Sequence, residues 1–302
     1  MPRVEEPVQI ASKPSDAPTR DNFARHTMTG ANTTMLAILR DHRTELGVMA
    51  NDLSGEIERT QAFLKTAASL SIEQVSISNN QLNATVKVHN HTGHKLPSAY
   101  PSRRAFIHFE VKNSQGEVIF ESGKPNADGS ITGHDTDQDP STFEPHYDLI
   151  TQADQVQVYE PILSDSDGQV THTLLRAATY LKDNRLLPEG LDKTSAPDDI
   201  RIVGEADQDD NFTAGGDEVR YQIDVGNASD LSISATLYFQ PLAYGHLQDL
   251  FENDELNEVA RFKAQFDATP HKTETIASAT AKAQTQEASG GGGGGGGGSF
   301  GF

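Results

Sequence analysis

Near residue 71 the hydrophobic pattern of this chain changes period, and that change divides it into two kinds of structure. Ahead of it, Met35, Leu36, Leu39 and Leu46 have partial helical spacing over residues 33–48. Leu53, Ile57, Thr60, Leu64 and Ala67 then form one apolar stripe, with Asn51 or Ser54 able to cap its start. A helical hairpin is predicted there, behind an extended lead-in over residues 1–20 that is rich in Pro, Ser and charge. After residue 71 the period is two. Leu82, Ala84, Val86 and Val88 alternate with polar residues, the stretch 105–111 repeats the pattern, and Asn113-Ser114-Gln115-Gly116 turns it back into Val118-Ile119-Phe120 as a hairpin. Further strands are predicted at 156–162, 200–203, 219–225 and 231–239, while 173–181 fits either a helix or a strand. Short strands punctuated by Gly, Asn and Asp point to a β-sandwich.

The expected fold class is therefore mainly β: a β-sandwich preceded by a short helical hairpin and followed by a C-terminal helix and a disordered Gly-rich tail. The expected boundaries are 1–70 for the helical segment, 71–245 for the sandwich and 246–267 for the C-terminal helix, which runs from Leu247 to Phe266. Residues 268–302 are expected to be a disordered linker. They are Thr, Ala, Lys and Gln without periodicity, ending in nine consecutive glycines, Gly290–Gly298, and Ser299-Phe300-Gly301-Phe302.

Composition narrows the function. The 302 residues carry 24 Lys+Arg against 44 Asp+Glu, a net charge of −20, which repels phosphate backbones and anionic lipid, so nucleic-acid binding is not expected. There is no cysteine, which removes disulfides, zinc thiolates, iron–sulfur clusters and thiol nucleophiles, and also the thioether bonds of a Cys-x-x-Cys-His haem site within this stretch. No run reaches the roughly 18–20 apolar residues of a membrane span. The opening Met1-Pro2-Arg3-Val4-Glu5-Glu6-Pro7 lacks the apolar core of a signal peptide, so the true beginning is expected to lie upstream. No His-Glu-x-x-His or phosphate loop is present.

One stretch is more specific. His89-Asn90-His91-Thr92-Gly93-His94-Lys95-Leu96-Pro97, followed by Tyr100-Pro101-Ser102-Arg103-Arg104, resembles the Asn-x-x-Gly-His-Lys-x-Pro…Arg-Arg signature of multihaem cytochrome c proteins. Glu144-Pro145-His146-Tyr147-Asp148, the runs 155–160 and 181–188, and Asp210-Asn211-Phe212 with Gly216-Asp217 fit the same family, so the resemblance spans about residues 20–250. Met1-Pro2-Arg3-Val4 looks like the residues after the last haem motif of such a protein. The glycine tail resembles the start of a glycine-glycine C-terminal sorting signal that lacks its apolar helix and basic end. The resemblance implies the C-terminal, non-haem-attaching part of an exported multihaem cytochrome c, an electron-transfer protein rather than a catalyst. It further implies haem c attached through a missing upstream part. The partners would be that upstream haem domain and a redox partner protein. The location would be the cell envelope, either periplasm or outer surface, with membrane contact only through a missing C-terminal helix.

Within that resemblance His94 and His26 are the expected distal ligands to haem iron, which accepts a neutral imidazole nitrogen. Each also has a plain reading, His94 as a packed loop residue and His26 as a surface residue ahead of a helix. Arg103 and Arg104 are expected to pair with haem propionates, or else to form structural salt bridges. His91, with His89 and His94 close by, offers a transition-metal site. Asp135, Asp137 and Asp139 alternate as calcium ligands do, though without the Gly and Glu of an EF-hand. Asp207-Gln208-Asp209-Asp210 with Asp217 nearby is a second possible oxygen cage. The rival to the cytochrome is a haem-free, calcium-stabilised β-sandwich scaffold of the cell surface.

Overall fold

A computed structural model describes residues 3–25, 29–50, 52–98, 100–270 and 272–284. The expected hairpin is present as α1 (Thr33–Asp41) and α2 (Ser54–Leu64). Asn32 caps α1 by accepting from the Met35 N–H at 2.9 Å, and Ile57, Thr60 and Leu64 form the buried stripe of α2. Seven longer strands follow: β1 (Ala68–Ser78), β2 (Gln81–Asn90), β3 (Arg104–Lys112), β4 (Val118–Ser122), β5 (Gly216–Asp224), β6 (Asp230–Gln240) and β7 (Glu274–Gln284).

They form two sheets. One has the order β1-β2-β5, with the short strand Leu149–Ile150 parallel to β5. The other has the order β7-β6-β3-β4, with Val158–Tyr159 pairing β3. Alternation sends Leu82, Ala84, Val86 and Val88 of β2 and Val219, Tyr221 and Ile223 of β5 inward. From the other sheet come Ile107, Phe109 and Val111 of β3 and Leu231, Ile233, Ala235, Leu237 and Phe239 of β6. The two inner faces form one core, in which the Phe109 and Tyr221 rings stack at 3.8 Å. This is the face-to-face arrangement of a sandwich. Between β4 and β5 a long connection carries a smaller three-stranded sheet, Val170–Thr171, Pro161–Ser164 and Thr179–Asp183, and the helical turn Asp135–Gln138.

Three expectations change. The single C-terminal helix is two, α3 (Tyr244–Phe251) and α4 (Asn257–Ala268), which pack on α1 through Ile38, Leu247, Phe251 and Phe266. The expected tail from residue 268 contains β7, antiparallel to β6 and facing β1. Its inward positions Ala277, Ala279, Ala281 and Ala283 do repeat every second residue, but alanine is too small and too poor a strand former to stand out as a pattern. The stretch 173–181 resolves into the turn Leu174–Arg176 and then a strand, and Ile200–Val203 contributes only a bridge from Val203 to Asp183. The glycine run lies outside the described residues.

Candidate functional site

The signature loop leaves the end of β2, and its anchor is Asn90. Strand alternation continues inward past Val88 to Asn90, which is fully buried although it is an amide. Its Nδ2 donates to three carbonyls, those of His94 at 3.0 Å, Leu186 at 3.1 Å and Leu187 at 3.1 Å. Its Oδ1 accepts from the Thr92 N–H at 2.9 Å and the Thr92 hydroxyl at 2.8 Å. One side chain therefore ties the loop both to itself and to a segment almost a hundred residues later. The backbones of Leu96 and Leu186 exchange a pair of hydrogen bonds at 2.9 Å. Lys95 Nζ reaches Asp183 at 2.7 Å and the Arg201 carbonyl at 3.2 Å; burial lowers the Lys95 pKa, against the pull of that carboxylate.

His94 is exposed on this rigid base. Its Nδ1 lies 2.9 Å from the Lys95 carbonyl, an atom that can only accept, so Nδ1 carries the ring hydrogen. In the neutral ring the lone pair is then on Nε2, which has no hydrogen-bond partner among the described residues. A histidine with one nitrogen hydrogen-bonded to a carbonyl and the other free is arranged as a metal ligand is.

The ring stands at a cavity of about 680 Å³, within the range of small-molecule and cofactor sites. Phe63, Leu64, Leu96 and Phe239 give it an apolar wall, while Gly30 and Gly93 are both in its lining and would each have open space around an added Cβ. Arg3 and Arg103 supply positive charge. Arg103 donates to the Ser98 carbonyl at 3.1 Å, and neither arginine has a carboxylate partner among the described residues. In a chain with 44 acidic residues, two such guanidinium groups beside an apolar cavity suit an apolar ligand that carries an anionic group. A neighbouring cavity of about 590 Å³, lined by α1 and α2, shares Thr29, Gly30, Ala31 and Arg103 with the first.

The other expected site residues fall elsewhere. His26 lies outside the described residues. His91 directs Nε2 to the Ser69 hydroxyl at 3.0 Å, and His89 pairs with Glu189 at 2.9 Å, so the three histidines of the loop do not converge on one ion although the His89 and His91 rings touch. Arg104 is only 1% exposed and is not available to a propionate. It forms a two-pronged pair with Asp137 at 2.8 Å and 2.8 Å and donates through Nε to Gln240 at 2.6 Å. The two neighbouring arginines diverge because β3 begins there and successive strand residues face opposite ways.

The same pair corrects the calcium expectation. Residues 135–138 form a helical turn, which sends carboxylates two positions apart in different directions. Asp137 points inward to Arg104. Asp139 points outward and caps Ser141 at 2.9 Å, and Asp135 is exposed. Burial alone would raise the Asp137 carboxyl, but the Arg104 guanidinium overcomes it and holds the group well below the usual carboxylate range. The second acidic stretch does come together in part: Asp209 and Asp217 meet in the interior, and His146 joins them. Nothing in the spacing of His146 announced that meeting, although it stands within one of the stretches that carry the family resemblance.

No helix among the described residues is long and apolar enough to cross a membrane. No family model matches the chain, and no curated protein matches it. Among solved structures, a penta-heme cytochrome c552 from Thermochromatium tepidum is similar at a TM-score of 0.44 and 15% identity, over 74% of this chain and 41% of that one, so the chain spans about two fifths of that protein's length.

Proposed function

We propose that this chain is the non-haem-attaching part of an exported multihaem cytochrome c engaged in electron transfer, and that His94 supplies the distal axial ligand to a haem carried by an upstream part. The observation that carries this reading is the His94 ring itself: Nδ1–H is engaged by the Lys95 carbonyl, and Nε2 is left as a lone pair beside a largely apolar cavity. The residues fit the group. Phe63, Leu96 and Phe239 would exclude water from the macrocycle, and Arg103 and Arg3 would pair with its propionates. The chain has no cysteine, so on this reading the thioether bonds would be made by another segment, which would also bring the proximal ligand. Haem bound there would supply one-electron chemistry; the chain's own part would be to hold the ligand, shield the macrocycle and so tune the potential. An envelope location, a redox partner protein and surface attachment through the glycine-rich tail belong to the same proposal.

The test is a titration of the full chain with a short haem c peptide that carries only its proximal histidine, followed by visible absorption. The wild-type chain is expected to convert the peptide to a six-coordinate low-spin form. His94→Ala is expected to abolish that conversion, whereas His91→Ala keeps it. Arg103→Ala is expected to weaken binding about tenfold, the magnitude of one lost charge-assisted contact. Equal low-spin conversion by wild type and His94→Ala would remove His94 from this role.

A further inference from the structure

His146, Asp209 and Asp217 meet beside the end of β2 from which the His94 loop leaves, since Asp217 pairs with Val88 and Gly216 with His89. Asp217 occupies an inward position of β5, in series with Val219, Tyr221 and Ile223, so strand alternation carries a carboxyl group into the core, where it is 2% exposed. Its Oδ2 accepts from the Tyr159 hydroxyl at 2.8 Å and from Gln157 Nε2 at 3.1 Å. Its Oδ1 has no hydrogen-bond partner, and no Lys or Arg pairs with it among the described residues.

Ligand atoms of the three residues lie within 4.8 Å of one another, close enough to share a cation. The hydrogen bonds around His146 speak against that use. Gln157 Oε1 accepts the Tyr147 N–H at 2.9 Å and Asn184 Oδ1 accepts the Glu160 N–H at 3.0 Å, which fixes the orientation of both amides. Each can then offer only N–H to His146 Nδ1, at 2.8 Å and 3.1 Å. The ring hydrogen therefore sits on Nε2, where it is donated to Asp209 Oδ2 at 3.1 Å. A metal on Nε2 would have to displace that hydrogen while Nδ1 still faced two donors, forcing the ring into its anionic form. Metal-bound histidines ordinarily donate from the second nitrogen. Asp209 is separately satisfied by this N–H and by the Asn211 N–H at 3.0 Å, with Lys193 contributing positive charge nearby. Asp217 alone is left with an oxygen that accepts from nothing and with no Lys or Arg partner among the described residues.

A proton removes the charge of that carboxyl group. The groups facing Asp217 are Tyr159 and Gln157 from the short strand beside β3 and the turn before it, His146 and Asp209 from the connecting loops, and Tyr221 from β5 itself. None is a lysine or an arginine. Burial pushes the Asp217 carboxyl up to about 6.

The residues just before Asp217 hold the loop. The Gly215 carbonyl accepts the Asn90 N–H at 2.7 Å, and the Gly215 N–H donates to the Leu187 carbonyl at 3.2 Å. Gly216 lies so close to β2 that an added Cβ would meet the Val88 carbonyl at 2.3 Å. We propose that Asp217 is a proton-operated latch beside the His94 loop: protonated, it lets residues 215–217 close on Asn90 and β2; ionised, it loosens them. The inference stands whether or not haem occupies the cavity.

The test is amide hydrogen exchange of Asn90, Thr92 and Leu96 in the full chain at pH 5 and pH 8, corrected for intrinsic exchange. An opened segment releases the proton near the ordinary Asp value of about 4 and the closed one near 6. Protection should then fall by about tenfold between the two pH values. Asp217→Asn keeps the shape without the charge and should show equal protection at both. Unchanged protection in the wild type, or the same fall in Asp217→Asn, would overturn the latch. So would recovery of protection at pH 8 on adding Zn2+ or Mn2+, which would mark a cation site instead. If Asp217→Asn does not fold, infrared spectra of the wild type labelled at aspartate carboxyl carbons decide. A protonated-carboxyl band present at pH 5 and absent at pH 8 is expected, and its absence at pH 5 rejects the proposal.

Discussion

Replacing Arg104 with methionine is expected to lower the unfolding free energy by about 3–5 kcal/mol, the usual cost of removing one partner of a buried ion pair. Methionine matches much of the volume, so the loss is electrostatic. Asp137, with 2% of its side chain exposed, would be left with the Ile131 N–H at 2.7 Å and the His134 ring at 3.3 Å in place of a guanidinium, and Gln240 Oε1 would lose its donor at 2.6 Å. Reversal of the sign of charge is not required for damage; an uncompensated carboxylate is enough. The pH dependence follows from the direction of the Asp137 shift. Its pKa is depressed in the folded chain, so the stability it contributes is present above about pH 4, the unfolded value, and drains away as pH falls below that. Arg104→Met removes the largest cause of the depression and leaves that of His134, so the variant should lose less stability on acidification than the wild type. Urea denaturation at pH 7 and pH 3.5 checks both points. The double variant Arg104→Met with Asp137→Leu should recover much of the loss, because both charges are gone together.

The second large effect is expected at Asn90. Asn90→Ala leaves the carbonyls of His94, Leu186 and Leu187 without their shared donor and frees Thr92 from its acceptor, at a cost of about 2–4 kcal/mol. Asn90→Asp is the sharper variant. A carboxylate still accepts from Thr92, but it cannot donate to three carbonyls and adds a buried charge, so it should destabilise at least as much as alanine. Neither substitution touches the cavity lining, yet both should weaken the haem-peptide interaction by more than tenfold. The position of the His94 ring depends on the loop that Asn90 ties down. Unaltered binding by a folded Asn90→Ala chain would show that His94 is held by other contacts.

Much of the fold could be read in advance where side chains were large. Leu82 to Val88, Phe106 to Val111 and Leu231 to Phe239 alternate with enough volume to mark strands, and Ile57 to Leu64 marks α2. Where the inward residues were alanines, as in β7, the same alternation passed for a featureless tail. The site divides in a similar way. His94 stood out in the sequence because a local signature carries it. The partners that give the signature its geometry, Asp183, Leu186 and Leu187, come from a distant segment that fits the same family, but nothing in either stretch says that the two meet. Arg104 and Asp137 were each noticed, one as a ligand-facing cation and the other as a calcium ligand. Sequence separation hid that they satisfy each other. His146 and Asp217 were noticed too, but not their burial: buried ionisable groups are rare enough that an outward position is the default expectation.

The position of β7 bears on how such a chain is made. It completes the edge of its sheet beside β6 and faces β1, so the first and the last long strands among the described residues meet across the core. A ribosome adds residues in order, and a half-emerged chain has β6 with an unpaired side and β1 with nothing opposite it. Acquisition of the native core must then wait until about residue 284 has been synthesised, however early the hairpins form. Until then β6 offers a bare row of backbone donors and acceptors to any other strand nearby. The last strand thus acts as a closing clasp, and the interval before it arrives is when this protein is most exposed to misassociation.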